Sequence, residues 1–72
     1  MYERLYIAQL DRDCWAVDGR GTRTVVLDNA KRFKSYGAAR SAITWAKKSA
    51  LLRSPKILRQ DTDGNICVDT HL

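Results

Sequence analysis

The sequence predicts an α+β fold: a small antiparallel sheet in the order β-β-β-α-β-β, with one helix packed on one face. Three observations lead there. Short β-forming runs are separated by turn residues. One segment ahead of Pro55 repeats small apolar residues at helical spacing. The chain has 72 residues, 44% hydrophobic and 29% charged, which suits a single domain over residues 1–72 with one thin core.

Leu5-Tyr6-Ile7-Ala8-Gln9-Leu10 is short and rich in β-formers and reads as the first strand. Cys14-Trp15-Ala16-Val17 reads as the second, with Asp11-Arg12-Asp13 as the tight turn between them. Asp18-Gly19-Arg20-Gly21 is a second turn, because its glycines reach positive φ without steric cost. Thr22 to Leu27 is then expected as a third strand, with Val25, Val26 and Leu27 as its apolar content, ended by Asp28-Asn29. Lys31-Arg32-Phe33-Lys34 is a linker or a short strand leading to the helix.

Ser35 is placed to cap that helix, its hydroxyl accepting from a first-turn N–H. At about 100° per residue, Ala39, Ala42, Ile43, Ala46 and Ala50 share one face. Arg40, Thr44, Lys47 and Lys48 fall on the other. A stripe made mostly of alanine implies a helix backbone lying close to the sheet. Lys47, Lys48 and Arg53 are expected late in the helix, against its negative end, and Pro55 stops it. Ile57–Gln60 and Ile66–Val68 complete the fold as a hairpin across Asp63-Gly64.

The net charge of +5 is unevenly spread. Residues 1–30 hold four bases and five acids, residues 31–59 hold nine bases and no acid, and the tail from Gln60 adds three aspartates. A block of one sign repels itself unless something neutralises it. It is a surface for phosphates or for an acidic protein, a solvated face that keeps the domain in solution, or a partner for the chain's own acidic tail.

Several chemistries are not supported. His71 is the only histidine, and Cys14 and Cys67 form no Cys-x-x-Cys pair, so a structural zinc site lacks ligands. The two cysteines either form a disulfide, if their strands are neighbours, or stay reduced as small apolar residues; the second is expected of a cytoplasmic protein. Asp61-x-Asp63-x-Asn65 opens like a calcium loop, but its glycine stands at the fourth position and Leu72 at the twelfth. Gly19-x-Gly21 lacks the strand-to-helix setting of a phosphate loop. The carboxylates cluster in turns, where water keeps them ordinary, so no enzyme and no cofactor is expected. There is no apolar run of about 18 residues to cross a membrane, and no apolar stretch behind Met1-Tyr2-Glu3-Arg4 to serve as a signal peptide.

Among surface candidates, Trp45 falls well off the alanine stripe, near Ser41, Lys48 and Leu52. It is an exposed anchor or stacking platform, or else it covers the end of the sheet. Trp15 is expected in the core, and Phe33 and Tyr36 are expected under the start of the helix. Tyr2 and Tyr6 are either ordinary sheet packing or a small adhesive patch. The candidate binding residues are Lys31, Arg32, Lys34, Arg40, Trp45, Lys47, Lys48 and Arg53.

Ala30-Lys31-Arg32-Phe33-Lys34-Ser35, followed by Ala38-Ala39-Arg40 and Ile43, resembles a segment of many short orphan proteins encoded by phages and prophages. In these, a strand hairpin precedes the segment, which leads into a helix with a further strand behind it. The resemblance covers about half the chain. It implies an accessory or host-directed binding protein, some members being anti-CRISPR inhibitors that occupy a surface on a host complex without catalysis. The same segment is similar to the third-strand-to-helix step of the amino-terminal arm-binding domains of phage integrases, whose three-stranded sheet enters the major groove. Here the basic block sits on the helix and its flanks rather than on the first three strands, so no residue role is carried over.

Two functions are therefore expected from different classes. One is a non-enzymatic phage or mobile-element protein that attaches to an acidic host protein or nucleoprotein complex, as a monomer or homodimer. The other is nucleic-acid binding of low sequence specificity through residues 31–59, since no reading motif accompanies the charge.

Overall fold

The computed structural model describes residues 4–49 and 52–72. Tyr2 and Ala50 lie outside the described residues. The elements are β1 (Leu5–Asp11), β2 (Cys14–Ala16), β3 (Arg23–Thr24), a 3-10 turn (Leu27–Asn29), α1 (Tyr36–Ser49), β4 (Lys56–Gln60) and β5 (Ile66–His71). The strands form one antiparallel sheet in the order β3-β2-β1-β4-β5. The α+β architecture expected from the sequence is thus present, with α1 between β3 and β4. The helix carries the chain from one side of β1 to the other.

Strand alternation in β1 sorts the core into two layers. Tyr6, Ala8 and Leu10 face α1, and Ile7 faces away. The register places Ala8 opposite Ile57 and Ile7 opposite Leu58, so β4 divides its side chains in the same way. On the helix side, Ala8, Leu10, Ala16 and Ile57 pack against Ala39, Ala42, Ile43 and Ala46, with Phe33 and Leu52 closing the ends. On the other side, Ile7, Leu58 and Ala30 form a smaller cluster under Trp15 and Leu27. Trp15 is therefore half-buried in the second layer, and its indole Nε1 is buried without an acceptor among the described residues.

The alanine stripe does bring the helix close. Gly21, with φ of 81°, sits so near α1 that an added Cβ would lie 2.6 Å from the Ala46 Cβ and 2.9 Å from the Ala42 carbonyl oxygen. The Ala38 N–H donates to the Ser35 hydroxyl at 3.2 Å, the N-cap contact the sequence predicts. Phe33 is buried beneath the start of α1, and Tyr36 meets Tyr6 edge-on, ring centroids 6.0 Å apart.

The Lys31–Lys34 segment is neither free linker nor full strand. The Phe33 N–H donates to the Tyr6 carbonyl at 2.7 Å and the Tyr6 N–H to the Phe33 carbonyl at 2.8 Å. The Lys31 N–H donates to the Ala16 carbonyl at 2.9 Å. The segment occupies the place beside β1 that β2 vacates, and it fixes where the helix begins.

Two expectations need correction. The third strand does not run from Thr22 to Leu27: β3 is only Arg23–Thr24. The Thr24 hydroxyl accepts from the Val26 N–H at 3.1 Å and turns the chain out of the sheet. Val25 is left 73% exposed, and Leu27 is delivered to the second layer instead. Arg53 is not in the helix either; it lies in a bend after Leu52. The residue before Pro55 is biased to extended geometry, and β4 must start at Lys56 opposite Gln9, so the chain needs that bend to reverse.

Cys14 and Cys67 are both free thiols. Their strands are not neighbours: β1 and β4 stand between them, about 14 Å of sheet at roughly 4.8 Å per strand, well beyond disulfide reach.

Candidate functional site

The predicted binding residues divide into groups once folded. Lys31, Lys34, Arg40, Lys47, Lys48 and Arg53 are exposed, and Trp45 is 52% exposed. The acidic tail does not neutralise them. Among the described residues, the ion pairs are those of Arg59, with Asp61 at 3.3 Å and Asp69 at 3.8 Å. The Arg59 guanidinium pKa is pushed up by the facing Cys67 thiol group first and Asp61 next, so this cation belongs to the β4–β5 hairpin.

Arg32 is turned inward. Its Nε donates to the Gln60 side-chain oxygen at 2.8 Å, and its Nη1 donates to the Leu27 carbonyl at 2.9 Å and the Ala30 carbonyl at 2.6 Å. One guanidinium thereby fastens the 3-10 turn to the end of β4. Its role is architectural, and the cations beside it are the ones turned to solvent.

Helical geometry separates the rest. At 3.6 residues per turn, Ala38, Ser41, Trp45 and Lys48 form one continuous stripe on α1. Arg40 and Lys47 lie roughly 140–160° around the axis from Trp45, on the opposite flank. The Lys48 ammonium stands 4.5 Å from the Trp45 ring centroid, a cation–π contact that keeps the charge on the same flank as the indole. The Lys31 ammonium stands 5.6 Å from the Phe33 ring centroid.

The stripe opens into a cleft of about 480 Å³. Its walls are Gly19 of the β2–β3 turn, Lys31 to Lys34 ahead of the helix, and Ala38 and Ser41 of α1. Among the described residues, no carboxylate lines it. Gly19 reaches this position because Gly21, two residues on, lets the turn lie against α1. The turn is also tied by Asp18, whose carboxylate accepts from the Thr22 hydroxyl at 2.7 Å and from the Arg20 and Thr22 N–H groups at 2.9 and 3.1 Å. Those bonds, the Thr22 hydroxyl first, hold the Asp18 carboxyl below its ordinary pKa. This acid is spent on its own turn rather than offered to the cleft.

Sequence reasoning placed Trp45 near Ser41 and Lys48 but did not find the cleft. The spacing of Ala38, Ser41, Trp45 and Lys48 was the available signal. The approach of Gly19 and the wall formed by Phe33 depend on tertiary contacts and had none.

Among the described residues, no group of three or more metal-ligating side chains gathers, and no helix is long and apolar enough to cross a membrane. The Asp61–Asn65 segment is a hairpin turn: the Gly64 N–H donates to the Asp61 carbonyl, and Asn65 donates to the Asp63 carboxylate. No protein family, curated protein or solved structure matches this chain.

Proposed function

We propose that the protein is a non-catalytic binding module of phage or mobile-element type, cytoplasmic, that attaches to an acidic host protein or nucleoprotein through the Trp45 flank of α1 and acts by occupying that surface. The observation that carries the reading is Trp45, half in water on α1, with Lys48 held against its ring. Water-exposed indole forfeits burial free energy in the free protein and recovers it when a partner covers it, which is why tryptophan is enriched among interface hot spots. Unpaired lysines nearby accelerate encounter with an acidic partner. The test is capture from host lysate at low and moderate salt by wild type, Trp45→Ala and Lys48→Glu. One acidic protein should be recovered reproducibly by wild type and lost by both variants. Recovery of nothing reproducible, or capture indifferent to both changes, overturns the reading.

Nucleic-acid binding is the second reading, favoured by Lys31, Lys34 and Lys48 sharing a flank with an exposed aromatic ring. It requires an affinity for duplex DNA whose log–log salt slope is about −0.9 per neutralised phosphate and which weakens when Lys48 is reversed in charge.

A further inference from the structure

The geometry points to the chemistry of the partner: the cleft and the Trp45 stripe together take a short acidic peptide segment, with one aliphatic side chain seated in the cleft and carboxylates on either side of it. This rests on the reading of the Trp45 flank as the docking surface and specifies what docks there.

Three features select that occupant. First, the cleft is small and mostly apolar inside, walled by Gly19, Phe33 and Ala38, so an aliphatic side chain can enter and displace water. Second, the charges stand at the rim: Lys31 and Lys34 beside the cleft, and Lys48 two turns further along α1. With no carboxylate in the lining among the described residues, the complement is negative on both sides of an apolar centre. Third, the length fits. From Tyr36 to Lys48 the helix rises about 18 Å, which an extended segment spans in five or six residues.

A single-stranded nucleic acid presents the same charge but needs open aromatic faces for its bases. Phe33 is buried with Lys31 above its ring, and Lys48 already stands over Trp45. An apolar cleft, and rings that each already carry a lysine ammonium, favour a peptide.

The experiment is an amide chemical-shift titration of the protein with the blocked peptide acetyl-Asp-Glu-Leu-Asp-Glu-amide, with its Leu-to-Gly counterpart, and with hexathymidylate. Saturable shifts are expected at Lys34, Ala38, Ser41 and the Trp45 indole N–H, with at least a tenfold weaker affinity for the glycine peptide. Lys31→Glu with Lys34→Glu should weaken binding at least tenfold. Ala38→Gln, at an exposed helix position, should crowd the wall of the cleft and do the same while leaving the rest of the spectrum in place. Absence of saturation at millimolar peptide, shifts mapping elsewhere, or tighter binding of hexathymidylate overturns the inference. The docking surface itself is judged separately. If Ala38→Gln still captures the lysate partner and Trp45→Ala does not, the peptide cleft is wrong and the surface stands; if both variants capture it, both fail.

Discussion

The two faces of the sheet are covered by unlike means. On one face α1 lays down a repeating stripe, and Ala39, Ala42, Ile43 and Ala46 are all buried against β1, β2 and β4. On the other, the cover is the irregular stretch from Leu27 to Ala30, which adds few apolar atoms over Ile7 and Leu58 and is pinned by the Arg32 guanidinium. The first cover is strong because many small contacts repeat at close range, and it is vulnerable to anything that adds volume there. The second is held at one point and is vulnerable to losing that point. The candidate site straddles them: Lys31 and Lys34 flank Arg32, whereas Ala38 and Ser41 belong to the helix.

The largest expected effect comes from overfilling the first cover. Gly21→Ala puts a Cβ into the Ala46 side chain and the Ala42 carbonyl at a residue with φ of 81°. Positive φ and the clash add, so the variant should lose about 3 kcal/mol in urea unfolding, with the slope unchanged. Gly19→Ala, with open space around the added Cβ, should cost far less. Equal losses at the two glycines would mean that α1 does not lie as close as the alanine stripe places it.

Removing the pin on the second cover comes next. Arg32→Met keeps an apolar stem of similar shape and deletes the hydrogen bonds to Gln60, Leu27 and Ala30. A loss of roughly 1–3 kcal/mol is expected, because carbonyls that accepted from a charged donor are left poorly paired. Its location matters more than its size. Hydrogen exchange should quicken at the Asn29, Ala30 and Lys31 amides, which bond to Val26, Leu27 and Ala16, and stay slow at Ala42 and Ile43. Uniform quickening across α1 would show the two covers to be one cooperative unit.

This contrast also explains what the sequence could disclose. The helix was legible from Ser35 onward because its stripe has a period, and the two outer hairpins were legible from their turn residues. The Leu27–Ala30 cover has no period. Val25-Val26-Leu27 carries strong β-formers, and the sequence reading extends a strand through them. In the fold they stand beyond an edge where none of the described residues pairs with Val25, and the Thr24 hydroxyl turns the chain away. Charge was legible as a block but its direction was not. Arg32 belongs to the same basic run as Lys31 and Lys34, yet its donors serve internal carbonyls. Trp45 and Lys48 could be paired by spacing alone, whereas the cleft beside them needed Gly19, which only the approach of Gly21 to the helix brings in.

The smallest expected effect tests how that approach is secured. Asp18 holds the β2–β3 turn through two backbone N–H groups and the Thr22 hydroxyl, and these bonds lower its pKa from the ordinary 3.8. A carboxyl whose folded pKa is depressed stabilises the fold at pH above its unfolded value. That contribution fades as pH falls from 3.8 toward the lower folded value and is absent below it. Asp18→Ala should therefore be slightly less stable than wild type at neutral pH, with the gap narrowing below pH 3.8 as far as the pair remain folded. The group is only partly buried, so salt and water weaken its pull, and the gap should be the smallest of the three. A gap that stays constant through that range would mean the turn is held by the fit of Gly21 against α1 and not by the ionised carboxylate. The cleft wall at Gly19 would then be set by packing alone, and acidification would leave peptide binding at Ala38 and Ser41 unchanged except through the peptide's own carboxylates.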